Sequence, residues 1–487
     1  MKVHLIWDDC ALTIAPLFKE LDKALTYTEK SFEAPDPEKP WDRKTVRRKV
    51  KLYKEVRKDG QGHKVVQTFQ GLWQLVQDVC KENGHEVVVH DKRLEFPKPK
   101  LELMGGFRFK QKDLLVSALV KDCSGLIGAP TRYGKTYLMA NTLKAFPDVP
   151  TIVTAPGADL VKQLYNDLQE LLPQREFKLI GAGSRVKYQG DDITVASIDS
   201  MHKCEPGKTR LILIDEPHMA VTNSRLPVLH SFHKARRYGY GATLSERYDN
   251  RGLVIQGLIG PVLAERTFPD AVAEGAIAPL QVFMLKVPLE IANYGDHKRS
   301  YKMLLHENER MARLIARIEH EVLPENWQSI LFIKNEKQAE FYKHYIGDHG
   351  TIAMAKRLKA TERDRLTAMM KNDEVKRCLA TDIYATGITF NHVRAVFNLC
   401  GGGPYASTVQ KPGRVVEVRL GKRCGILFDV LFVPEDENMQ DPGRGPKVWS
   451  LIRESNQRLE FYETKGYDIS IVSSIAELKE EFAKRCL

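Results

Sequence analysis

Short runs of aliphatic and β-branched residues recur along the chain between longer stretches whose apolar positions repeat every three or four residues. Gly125–Ala129, Thr151–Ala155, Ile193–Ser197 and Arg210–Asp215 form one such set. These runs are largely apolar rather than alternating, which predicts strands covered on both faces, that is, a parallel sheet with crossover helices. A second set, Ser329–Lys334, Lys376–Thr381, Ala395–Leu399 and Gly425–Val433, follows a connecting segment at Phe268–Pro279. Two α/β domains in tandem are expected. Ahead of them the spacing predicts a helix at Leu72–Asn83, a strand at Glu86–His90 and a Pro-rich linker at 96–106. Behind them, after a polar Pro/Gly loop, helical patterns span Lys447–Lys465 and Ile475–Arg485. The predicted domains are therefore 1–103, 104–270, 271–433 and 434–487, the last a short helical tail.

Composition narrows the class. Over 487 residues, 43% apolar and 28% charged positions describe an ordinary multi-domain globular chain, which excludes wholesale disorder and a disulfide-stapled scaffold. Lys and Arg outnumber Asp and Glu by 74 to 63, and the resulting +11 favours a polyanionic partner, nucleic acid or an anionic membrane surface. No apolar run is long enough to cross a bilayer and the start carries no secretion pattern, so an intracellular, cytoplasmic protein is expected. The eight cysteines are scattered without metal-site spacing and read as reduced thiols.

The strongest chemical signal is Ala129-Pro-Thr-Arg-Tyr-Gly-Lys-Thr136, which follows an apolar strand and opens a helical run. In that context it is a P-loop: Gly134 lets the backbone curl around phosphate, Lys135 reaches the β- and γ-phosphates, and Thr136 offers a hydroxyl to Mg²⁺. About 80 residues on, Leu211-Ile-Leu-Ile-Asp-Glu-Pro-His218 ends a second apolar strand in two carboxylates. Asp215 is placed to hold Mg²⁺ through its waters and Glu216 to orient and deprotonate an attacking water. ATP and Mg²⁺ are the expected cofactors.

Asp-Glu-x-His after a P-loop resembles motif II of the superfamily 2 helicases and translocases, and the other motifs follow in order. Arg108-Phe-Lys-Gln111 resembles the Q motif, which implies that Gln111 binds adenine and that Arg108 or Phe109 stacks on it. Thr154-Ala-Pro156 with Gln163 resembles motif Ia and Thr194-Val-Ala-Ser197 motif Ic, which implies that Pro156, Gln163 and Ser197 meet a nucleic-acid backbone. Gly241-Ala-Thr243 resembles motif III, and Ser329–Lys334 sits where motif IV belongs. Ala380–Ile388 resembles motif V, implying Thr381 for nucleic acid and Gly387 for nucleotide, and Gln410-Lys-Pro-Gly-Arg414 resembles motif VI, implying that Gln410 and Arg414 serve the γ-phosphate. The resemblance implies two RecA-like domains that step along one strand as ATP turns over. Three motifs depart from the pattern: Arg132 and Tyr133 replace small residues in the P-loop, Pro217 replaces Ala or Cys in motif II, and in motif VI Glu417 stands where a final arginine is usual, with Arg419 as a possible substitute.

Residues 39–64 are dense in Lys and Arg. The alternation in Val46-Arg-Arg-Lys-Val-Lys-Leu-Tyr-Lys-Glu-Val56 predicts an exposed basic β-hairpin, in which Arg47, Arg48 and Lys49 would track phosphates and Trp41 and Tyr53 could stack on bases. The plainer alternative for such a run is a solvated face with no partner. The layout, a small basic α+β module before compact motor lobes and a helical tail, resembles the phage UvsW-type recombination helicases, which implies a branched-DNA substrate and a bacterial or phage-infected cytoplasm. The leading expectation is an ATP-dependent DNA helicase or translocase acting on forks, R-loops or Holliday junctions. The alternatives are an RNA helicase and a nucleic-acid-binding clamp whose ATPase is weakened by Glu417. His230, His233, Trp73 and Trp449 read as packing or surface residues, and Gly401–Gly403 as a loop.

Overall fold

The strand runs are buried at nearly every position because sheet and helices enclose them. The computed structural model describes the chain except for residues 33–44, 185, 187, 189, 191–192, 245–250, 348–349, 355–357, 359, 382–391, 404–410, 419–421, 437 and 444. Two units separate at Thr267/Phe268.

The first unit begins with a small module. Strands β1 (Lys2–Trp7), β2 (Leu12–Ala15), β5 (Tyr53–Lys58), β6 (Lys64–Thr68) and β7 (Glu86–Asp91) form a sheet in the order β5-β6-β2-β1-β7. β3 (Thr26–Phe32) and β4 (Thr45–Lys51) form a separate antiparallel ribbon. The expected basic hairpin is therefore corrected: β4 pairs with β3, and β5 with β6, so the run divides between two sheets. The division falls at Leu52, which is buried and bound through its N–H to the Leu25 carbonyl and through its own carbonyl to the Thr68 hydroxyl. Strict alternation marks two half-buried strands but does not reveal a break between them. Arg251 ties the ribbon down through Glu29 at 2.6 Å.

The turn Gln70–Leu72, just before the helix Trp73–Glu82, packs this module on the helix Gly252–Ile259. The approach is backbone to backbone: a Cβ on Gly71 would lie 2.2 Å from the Gln256 carbonyl oxygen. Gly71→Ala is therefore expected to cost about 1–3 kcal/mol and to expose the extended segment at 92–104 to protease; wild-type cleavage kinetics would show that docking does not depend on this approach. The predicted linker, 96–106, overlaps that segment and is tied to the helix Lys135–Ala145, with the Lys100 N–H on the Ala145 carbonyl and the Met104 N–H on Asn141.

Strands β8 (Gly125–Gly128), β9 (Thr151–Ala155), β10 (Phe177–Ile180), β11 (Ile193–Ser197), β12 (Leu211–Asp215), β13 (Arg236–Gly241) and β14 (Val262–Glu265) make a wholly parallel sheet in the order β10-β11-β9-β12-β13-β8-β14. Sequence reading passed over β13 because Arg-Arg-Tyr-Gly-Tyr-Gly has the composition of a loop. It is a central strand. The Arg237 guanidinium is buried against main-chain carbonyls of Phe232 and Leu258, and burial pulls its pKa down to about 10.

The second unit repeats the plan: β15 (Leu280–Leu289), β16 (Gln328–Phe332), β17 (Thr351–Met354), β18 (Arg377–Ala380), β19 (Val393–Asn398), β20 (Gly425–Pro434) and β21 (Asp468–Val472) form a parallel sheet ordered β17-β18-β16-β19-β20-β15-β21. The tail contains the two expected helices, Val448–Thr464 and Ile475–Cys486, and between them β21, which joins the sheet beside β15. It is thus more than a helical appendage. Among the described residues no helix is long and apolar enough to cross a membrane.

Candidate functional site

In a parallel sheet the carboxyl ends of the strands gather the loops that carry chemistry. β8 delivers the P-loop there, and the helix Lys135–Ala145 begins where the loop ends. Two residues hold the loop in left-handed conformations, Arg132 at φ +75° and Gly134 at φ +92°. A Cβ at Gly134 would lie 2.5 Å from Gln111 Nε2, so glycine is needed there for space as well as for φ. Gln111 is buried beneath the loop; its Nε2 donates to the Tyr133 carbonyl at 2.6 Å and its Oε1 accepts from the Arg108 N–H at 2.9 Å. Both ends of this amide hold the loops together. Arg108 and Phe109 next to it are exposed.

β12 carries Asp215 to the same end of the sheet, and β13 lies between β12 and β8. The Glu216 N–H donates to the Tyr240 carbonyl and the Ala129 N–H to the Gly241 carbonyl, each at 3.0 Å, so β13 fixes both chemical loops. Glu216 itself sits at φ +50°, a left-handed conformation uncommon for a non-glycine residue. Pro217, the departure noted in the sequence, packs over β13, where a Cβ on Gly239 or Gly241 would approach it to 3.1 or 3.0 Å.

The result is a convergence of charge. Lys135 Nζ lies 3.5 Å from Glu216 Oε1, and His218 Nδ1 3.4 Å from Glu216 Oε2. Burial and then the neighbouring Glu216 push the Asp215 carboxyl up to about 7, with Lys135 opposing the shift. Two adjacent acids facing a single ammonium make a place that gains from a divalent cation, and one hydroxyl with one or two carboxylates suits an ion that keeps its waters. Thr136 and Asp215 fit Mg²⁺ on that ground.

The other expected residues are distributed as follows. Pro156 follows β9, and Gln163 is exposed on the helix Ala158–Leu171. Ser197 ends β11 buried, its hydroxyl donating to Ser200 at 2.8 Å. Arg47, Arg48 and Lys49 are exposed on β4, while the Tyr53 phenol donates to Asp22. In the second unit Thr381 follows β18, and Arg414 is buried in a short 3₁₀ turn, Pro412–Arg414. Trp41, Gly387, Gln410 and Arg419 lie outside the described residues.

Sequence reading missed the part played by Lys411, Asn398, Asp429 and Arg458, which meet in the interior of the second unit. One signal was available. At helical spacing Arg458 falls on the same side of its helix as Leu451, Ser455 and Tyr462, where a charge is out of place.

Residues 107–246 match the family of the type III restriction enzyme res subunit, and residues 309–419 match the helicase conserved C-terminal domain. A protein carrying the name helicase 22, from the Sulfolobus islandicus filamentous virus, is 24% identical over 344 residues, which is 63% of this chain and 60% of that protein. The chain thus spans less than two thirds of that relative. Among solved structures, Dbp5 of S. cerevisiae bound to RNA and ADP BeF3 matches 79% of this chain and 98% of its own, with 16% identity and a TM-score of 0.51, a likeness of fold. UvsW of phage T4 matches 97% of this chain and 99% of its own with 14% identity and a TM-score of 0.40, too loose to carry a structural argument.

Proposed function

The chain belongs to superfamily 2 of the helicases, and from that premise we infer that it is an ATP-driven motor on DNA that unwinds or remodels branched intermediates. The observation that carries the ATPase half is the approach of Lys135 to Glu216 at 3.5 Å beside Asp215, on loops pinned by one strand.

In this reading the P-loop N–H groups and the start of the helix Lys135–Ala145 receive the phosphates, and Lys135 exchanges Glu216 for them. Glu216, released from that pair, orients a water and takes its proton. Mg²⁺, when bound, neutralises charge on the phosphates. Arg108 and Phe109, exposed beside the P-loop, are assigned to the base, and Gln111 to holding the loop that receives it. Arg414 and Gln410 are assigned to the γ-phosphate, with Pro156, Gln163, Ser197 and Thr381 at the nucleic-acid backbone.

Arg47, Arg48 and Lys49, all exposed on β4, favour an extended polyanion near the first unit. Charge reversal at Arg47, Arg48 and Lys49 together is expected to weaken DNA binding and flatten the dependence of log K on log salt by about 2–3 units. An unchanged slope would return this face to solvent.

The test of the whole reading is steady-state ATP hydrolysis without nucleic acid, with single-stranded DNA, with a four-way DNA junction and with RNA of matched length. The expected result is stimulation by DNA, greatest with the junction. Stronger stimulation by RNA would favour an RNA helicase, and tight binding without hydrolysis a clamp, the reading that Glu417 motivates.

A further inference from the structure

Lys411 opens the turn that carries Arg414, and it is buried. A lysine in an interior must keep its ammonium hydrogen-bonded. Here Nζ donates to Asn398 Oδ1 at 2.9 Å, and Asn398 Nδ2 in turn donates to Asp429 Oδ2 at 3.0 Å. Asp429 is the hub. Arg458 grips it with a fork, Nε to Oδ2 at 2.8 Å and Nη2 to Oδ1 at 3.0 Å, and the Tyr462 hydroxyl donates to Oδ2 at 2.7 Å. A polar chain thus runs from the helix Val448–Thr464 through β20 and β19 to the Arg414 turn, with every member buried.

The same helix also holds the approach to that turn. Arg458 donates to the Gly402 carbonyl, and the Gly402 N–H donates to the Tyr301 hydroxyl at 2.8 Å. A side chain at Gly401, where φ is +69°, would lie 2.1 Å from the Tyr301 ring. Gly402 and Lys411, on either side of the 404–410 stretch, are therefore both referred to Arg458 and Asp429.

Ion pairs buried this way are a poor source of stability compared with apolar side chains of equal volume, yet they fix one geometry. We propose that Arg458, Asp429, Asn398 and Lys411 are positioning residues that set the Arg414 turn, so that the helix Val448–Thr464 belongs to the ATPase apparatus. The proposal rests on the reading that Arg414 serves the γ-phosphate.

The test uses Asn398→Leu and Lys411→Met in the full chain, with Lys411→Arg as the conservative counterpart. Asn398→Leu leaves Asp429 its bonds to Arg458 and Tyr462, so the fold keeps its hub. The expected result is a fall of about tenfold in kcat for nucleic-acid-stimulated ATP hydrolysis, with KM for ATP within about twofold. Asn398→Leu, which takes that acceptor from the Lys411 ammonium, should also lower the melting temperature by several degrees, whereas Lys411→Met, which removes the charge itself, should stay within about 5 °C of wild type with the same loss of kcat, and Lys411→Arg should recover most of the kcat. Wild-type kcat in both folded variants overturns the proposal. So does a kcat loss that follows the melting temperature and is not relieved by Lys411→Arg, which would make the network structural only. A wild-type chain that does not hydrolyse ATP, or whose hydrolysis survives Glu216→Gln, would instead overturn the functional reading on which the proposal stands.

Discussion

Glu216→Gln is expected to bind ATP as the wild type does while nucleic-acid-stimulated turnover falls by about a thousandfold. The substitution keeps the shape of the side chain and its main-chain anchor to the Tyr240 carbonyl, and removes the negative charge together with the ability to accept a proton. Losing the negative charge also frees Lys135 from its partner 3.5 Å away, so nucleotide affinity should hold or rise. Measured by a fluorescent ATP analogue alongside phosphate release, this pattern separates a general base from a residue that merely holds the loop. Normal turnover in this variant would remove Glu216 from the chemistry.

The second large effect is on binding. Lys135→Ala should lower ATP affinity by about 10- to 100-fold, the range of a charge-assisted hydrogen bond to phosphate, and turnover with it. Beyond that lost bond, the variant leaves Asp215 and Glu216 side by side without the cation that now opposes the rise of Asp215. The loss should therefore be partly offset by higher Mg²⁺, which can take over that charge. Wild-type ATP affinity, by titration calorimetry at fixed Mg²⁺, would count against the P-loop assignment.

Where a motif is local, the sequence was enough to read it. Residues 129–136 and 211–218 name a strand, a turn and the groups beyond it, because phosphate binding needs consecutive residues at fixed offsets. The apolar strands were legible for the same reason, since burial on both faces leaves little room for other residue types: β8, β9, β11 and β12 fall where the runs placed them. Structure held by distant partners was not legible. β13 hides a buried arginine and two glycines shaped by Pro217, and nothing within six residues says so. The bonds of the Gln111 amide to Tyr133 and Arg108 could not be foreseen either, a geometry that depends on how two loops meet. The break at Leu52 and the hub at Asp429 are likewise products of tertiary pairing, as Leu25 and Thr68 close around the one and Tyr462, 33 positions on, around the other.

β21 has a consequence for how the second unit comes into being. It pairs with β15 over Gln281–Leu285, and β15 otherwise has only β20 beside it. Until residues 468–472 are made, β15 is an open margin with the amide and carbonyl groups on its far side from β20 unpaired, a template on which another chain can add. At roughly 5–20 residues per second, the stretch from β20 to β21 keeps that margin bare for some seconds after the Arg414 turn has left the ribosome. A message cut short between β20 and β21 would yield chains that hold every helicase motif and still tend to aggregate.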